Sequence, residues 1–206
     1  MLKKVPGVLL VGITGGLAMD NADKQDDIDF FIITAKGTMW ATRLCSAFLL
    51  SAAGLRRTPN QKQVANKICL NMFMQEGDLS LPASERDLFS AHEVLQMVPL
   101  WEREGAYKSF LRANAWVKQF LPNAWREKQK ISPESIAKNN TFLLRMLEFG
   151  AKHTQLRYMK RRQTSEVITK NQLRFHPRDV RPWVKKELAY RLRSFGIPLD
   201  RIFYGR

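Results

Sequence analysis

Val8-Leu-Leu-Val-Gly-Ile-Thr-Gly-Gly-Leu-Ala18, followed a short connection later by Asp26-Asp-Ile-Asp-Phe-Phe-Ile-Ile33, decides how this chain is read. The first stretch is apolar and β-branched and stops at Thr14-Gly15-Gly16, the pattern of a buried strand feeding a tight turn. The second begins polar and ends apolar, which predicts another strand over 27–33. Residues i and i+2 of a strand point to one face. Asp27 and Asp29 therefore project side by side while Ile28 enters the core. Two carboxylates held so close repel, and a hard cation relieves that repulsion. Magnesium suits them because it prefers oxygen ligands and shares them with phosphates; manganese is the second choice. The backbone N–H groups of the glycine turn can approach a polyphosphate closely, since no Cβ intervenes. A phosphate cradle beside a metal-binding carboxylate pair is what nucleotidyl transfer requires. Either piece alone is ordinary, a strand start or a turn; their joint order is the signal.

Outward from this unit, Gly37 precedes an apolar helix within 39–55. Its apolar core, 45–55, is only eleven residues long and is followed by Arg56-Arg57. A membrane span needs about 20 apolar residues, so a buried helix is expected. The apolar start of the chain is broken by Pro6 and four glycines, and reads as strand and turn rather than a secretory leader. Residues 67–74 predict a third strand, ended by Glu76-Gly77-Asp78. After residue 85 the pattern becomes helical. Ser84-Glu-Arg-Asp87 is expected to cap a helix to about Met97. Further helices are expected over 105–121, over 133–162 from a Pro-at-N1 start, and over 182–195. The fold class expected is α+β: a small mixed β-sheet domain with flanking helices over 1–100, followed by a mainly helical basic domain over 101–206.

The charge is unevenly placed. The 206 residues carry 34 Lys+Arg against 19 Asp+Glu, a formal net charge of +15. Residues 1–100 contain ten of each sign, so the whole excess lies in 101–206, together with fifteen of the twenty-one aromatics. The clusters are Arg157, Lys160, Arg161 and Arg162; Lys185 and Lys186; and Arg174, His176 and Arg178 in the loop before the last helix. A polyanion is the expected partner, and nucleic acid the leading one, because each neutralised phosphate releases counterions. Charge alone also admits an anionic lipid surface. Two cysteines inside apolar runs argue against disulfides or a zinc site, and point to a reducing, cytoplasmic setting.

The order of apolar strand, Gly-Gly turn, short connection and Asp-hydrophobic-Asp strand resembles the polymerase-beta-like nucleotidyltransferase superfamily. The stretches Gly16-Leu-Ala-Met-Asp-Asn-Ala22 and Asp26-Asp-Ile-Asp-Phe-Phe-Ile-Ile-Thr34 look like bacterial nucleotidyltransferase-domain proteins. Asn66-Lys-Ile-Cys-Leu-Asn71, Ala91-His-Glu-Val94 and Phe175-His-Pro-Arg-Asp179 extend the likeness over most of the chain. The resemblance implies a magnesium-dependent displacement at the α-phosphorus of a nucleoside triphosphate. Asp27 and Asp29 would be catalytic metal ligands; Thr14, Gly15 and Gly16 would hold the phosphates, with Arg43 and Lys67 as cationic candidates. Two departures stand out. Members often carry Ser where this chain has Gly16, leaving backbone donors only. They also usually take a third carboxylate from the next strand, where this chain offers Asn71; Glu76 and Asp78 lie just beyond. The expectation is a template-independent nucleotidyltransferase acting on a nucleic-acid 3′ end, RNA favoured. The alternatives are a non-catalytic nucleic-acid binder on a decayed fold, and transfer to a small molecule or protein.

Overall fold

Residues 8–11 and 30–33 show no polar alternation because both faces of their strands are covered. In the computed structural model, which describes residues 1–59, 61–137, 140–160, 167–175 and 181–197, the elements run as follows: β1 (Val8–Thr14), α1 (Gly15–Ala18), β2 (Ile28–Thr34), α2 (Met39–Ala52), β3 (Ile68–Gln75), α3 (Leu88–Gln96), β4 (Val98–Arg103), α4 (Ala106–Ala113), α5 (Pro122–Gln129), β5 (Ser135–Ile136), α6 (Phe142–Lys160), β6 (Val167–Ile168), β7 (Gln172–Arg174) and α7 (Arg181–Ser194). Among the described residues the strands form one seven-stranded mixed sheet in the order β5-β4-β1-β2-β3-β7-β6. β1 is antiparallel to β2 and β4, and β2 is parallel to β3.

Alternation along β2 divides the core between the two faces. Phe31 and Ile33 pack with Ala91, Val94 and Leu95 of α3 and with Tyr107 and Phe110 of α4. Phe30 and Ile32 pack with Met39, Trp40 and Leu50 of α2 and with Leu144, Ala151 and Met159 of α6. The helices thus sandwich the sheet. α2 and α6 pack against one another: Glu148 accepts from the Trp40 and Ala41 amides at 3.0 and 2.8 Å, and Gln155 donates to Trp40 O at 2.8 Å. Glu148 therefore satisfies the first turn of α2, which its own N-cap side chain leaves open.

The structure departs from the sequence expectations in its second half. Asp87, not Ser84, caps α3, through a capping box in which its side chain accepts from Ser90 N at 2.9 Å. The helix expected over 105–121 breaks at buried Asn114, whose amide group donates to Leu79 O at 2.8 Å and accepts from Leu81 N at 3.0 Å. A 3₁₀ turn, Ala115–Gln119, continues from it. The helix expected from Pro133 begins only at Phe142, because 135–136 is taken up by pairing with β4. Residue 100, the expected boundary, falls inside β4, and strands from both halves share the sheet. Cys45 and Cys69 are free. No helix among the described residues is long and apolar enough to cross a membrane.

Candidate active site

Thr14, the last residue of β1, stands opposite Asp29 of β2. The chain then turns through Gly15 at φ +67, a conformation that costs an L side chain about 1–2 kcal/mol. A Cβ built there would sit 2.5 Å from Asp29 Oδ2. Glycine is thus required twice, for its dihedral and for the close approach of backbone to carboxylate. Gly16 O accepts from Met19 N at 3.1 Å and Asn21 N at 2.9 Å, which tightens the turn. The glycine turn thus lies against Asp29, one of the two carboxylates.

Asp27, Asp29 and Cys69 bring their ligand atoms within 4.8 Å of one another. Cys69 faces them because β3 pairs Cys69 with Asp29. Burial, and then the Asp27 carboxylate, push Asp29 up to about 6, against a hydrogen bond from the Cys69 thiol and the Arg57 cation. Burial and the same two carboxylates push Cys69 up to about 12. The sulfur therefore stays a thiol and serves as a donor to Asp29. In the metal-free protein the set is thus two carboxylates and a neutral thiol, and the carboxylate oxygens suit a hard cation such as magnesium or manganese.

The register slips at Asn71: Phe30 pairs with Leu70, but Phe31 pairs with Met72. Such irregularities re-aim side chains beside active sites. Asn71 is buried and lines, with Thr14, Gly15 and Asp29, a cavity of about 310 Å³ whose lining also includes Phe31, Met72 and Phe110. Asn71 thus shares the cavity with Asp29, and the slip brings the adjacent Met72 to the same cavity.

Two residues were not foreseen. Arg57 Nη1 lies 2.6 Å from Asp27 Oδ2. The strand-like contacts of the segment after α2 bring it there, with Arg57 N donating to Ile68 O at 2.9 Å. Glu93 of α3 lines the same cavity, and burial followed by the Asp29 charge raises its pKa. Its signal in the sequence is an acid within the inward stripe of Ser90, Val94 and Met97. Glu76 and Asp78, suggested as substitutes for a third carboxylate, follow the opposite end of β3 from Asn71; Asp78 accepts from Asn171 at 3.2 Å.

Several predicted cations are placed elsewhere. Arg43 lies in the α2–α6 layer, donating to Gln155 with its guanidinium 4.8 Å over the Phe175 ring, and burial lowers it to about 10. Lys67 Nζ donates to Gly54 O at 2.7 Å, past the C-terminus of α2. Arg174, by contrast, lines the same cavity as Asp29, where it forks onto Glu85, and Lys185 lies 2.6 Å from Asp87. Arg157, Lys160 and Lys186 are exposed. Arg161, Arg162, His176 and Arg178 lie outside the described residues. No protein-family model, curated protein or solved structure matches the chain.

Proposed function

We propose that the protein is a template-independent nucleotidyltransferase that works in the cytoplasm and moves a nucleoside monophosphate from a triphosphate to a nucleic-acid 3′ end, RNA favoured. One observation carries the reading: a left-handed glycine turn packed directly against a paired carboxylate on the neighbouring strand. Asp27 and Asp29, with Asn71 as a neutral oxygen donor, would hold magnesium. Bound there, the metal would supply charge neutralisation for the phosphates and the departing pyrophosphate. Thr14, Gly15 and Gly16 present backbone donors to the triphosphate. Arg57 balances Asp27 in the free protein and stands beside any phosphate brought to the pair. Glu93, raised by burial, suits the role of accepting the proton of the acceptor hydroxyl as its oxygen attacks phosphorus and the bond to pyrophosphate breaks.

The basic half supplies the acceptor surface. Exposed Arg157 and Lys160, in the last turns of α6, are its cationic candidates. The nucleotide side of the reaction is assigned to residues 1–100 and the acceptor side to 101–206. A non-catalytic nucleic-acid binder is the second reading, favoured by the neutral Asn71 in the third ligand position. The discriminating assay incubates the protein with magnesium, each labelled nucleoside triphosphate in turn, and a mixed RNA pool. Label on RNA 3′ ends from at least one triphosphate is expected. RNA retention with no incorporation from any of them supports the second reading instead.

A further inference from the structure

The outer face of α6 is unlike the rest of the surface. Leu144, Ala151, Gln155 and Met159 turn inward, and Glu148 is committed to the first turn of α2. Phe142, Leu143, Met146, Leu147 and Phe149 are left pointing to solvent, each between 59 and 74 % exposed. Five large apolar side chains over two helical turns form a contiguous patch, of the kind that marks an interaction site. Apart from Glu148, the charged groups on its helix are cations. Arg145 and Lys152 are on the same helix, and Gly37, where a built Cβ would sit 4.0 Å from Arg145 Cγ, sets exposed Lys36 next to its first turns. None of the three makes an ion pair among the described residues.

We propose that this face docks the protein peripherally on an anionic lipid surface, with the apolar side chains of the first turns of α6 entering the headgroup boundary and Lys36, Arg145 and Lys152 meeting the lipid phosphates. Charge complementarity selects this occupant. A second copy related by two-fold symmetry would set the same three cations against themselves. Nucleic acid would meet the cations but give Leu143, Met146 and Leu147 nothing to enter. A bilayer accepts protruding side chains without a matching concavity and supplies the negative charge. α6 lies on the sheet face opposite Asp29 and its cavity, so docking leaves the candidate active site open. The inference does not rest on the transferase reading.

The test is flotation of the full chain with phosphatidylcholine vesicles and with phosphatidylglycerol-rich vesicles, in the absence of nucleotide and magnesium. The wild-type protein should float with the anionic vesicles and remain behind with the neutral ones. Leu143→Ser/Leu147→Ser/Phe149→Ser should reduce flotation by about tenfold or more while its circular dichroism spectrum is unchanged, the side chains being exposed. Lys36→Glu/Arg145→Glu/Lys152→Glu should abolish it. Absence of flotation with anionic vesicles overturns the proposal, as does equal flotation of the serine variant, which would reduce the effect to net charge. A wild-type dimer on gel filtration that the serine variant turns into a monomer, with neither floating, would assign the face to a second copy.

Discussion

Asp29→Asn should abolish nucleotidyl transfer and, in the metal-free protein, raise thermal stability. Asp29 lines the cavity, and burial with the neighbouring Asp27 raises it from 3.8 to about 6. The folded chain therefore holds that proton more tightly than the unfolded chain does. Stability is retained below about 4 and falls as pH rises through about 6, costing at most about 3 kcal/mol at neutrality. An asparagine has the same shape and no charge to desolvate. For a chain of this size each kcal/mol moves the melting temperature by about 2–4 °C. Melting curves of wild type and variant should converge near pH 4 and separate above pH 6, the variant melting higher. Transfer should drop by about 10³-fold, since a metal ligand and its charge are lost together. A variant that melts lower than wild type at neutral pH, without metal, would show that Asp29 is structurally required rather than held under tension for a ligand.

The second large effect concerns salt. If six or more phosphates are neutralised, affinity for single-stranded RNA should fall by about 300-fold or more between about 50 and 200 mM salt. The structure divides the cations that sequence pattern alone grouped together. Arg157, Lys160 and Lys186 are exposed, so Arg157→Gln/Lys160→Gln/Lys186→Gln should shallow the slope of log K against log[salt] by about 2. Arg174 and Lys185 are engaged with Glu85 and Asp87. Replacing these two should lower stability and leave the slope nearly unchanged. Filter binding over a salt series measures both. An unaltered slope in the triple variant would remove these residues from the acceptor surface.

The central unit was legible because its signals are local. Asp27 and Asp29 lie two residues apart and come together, and only glycine tolerates the turn at Gly15, whereas Asn71 reaches the cavity at a register slip that no sequence pattern reports. Arg57 was not legible, since it reaches Asp27 through a loop that returns to the start of β3, and no periodicity reports such a return. Arg43 was misplaced because α2 is apolar nearly all round, which leaves its direction undetermined by pattern. The two- and three-residue strands β5, β6 and β7 are too short to carry any period. They join the sheet through contacts such as Phe175 N to Asn71 O at 2.9 Å, which depend on the assembled fold. Charge asymmetry suggested two separate bodies, yet Glu148 on α6 holds the start of α2, and β5 continues the sheet from β4.

The account rests on one claim: that the glycine turn and the carboxylate pair form a single triphosphate site. Calorimetric titration of the nucleoside triphosphates into the wild-type protein and Asp29→Asn, each with and without magnesium, tests it most directly. The account predicts binding of at least one triphosphate to the wild-type protein that requires magnesium and is lost in Asp29→Asn. Binding that is equal in both proteins, or indifferent to magnesium, would contradict it.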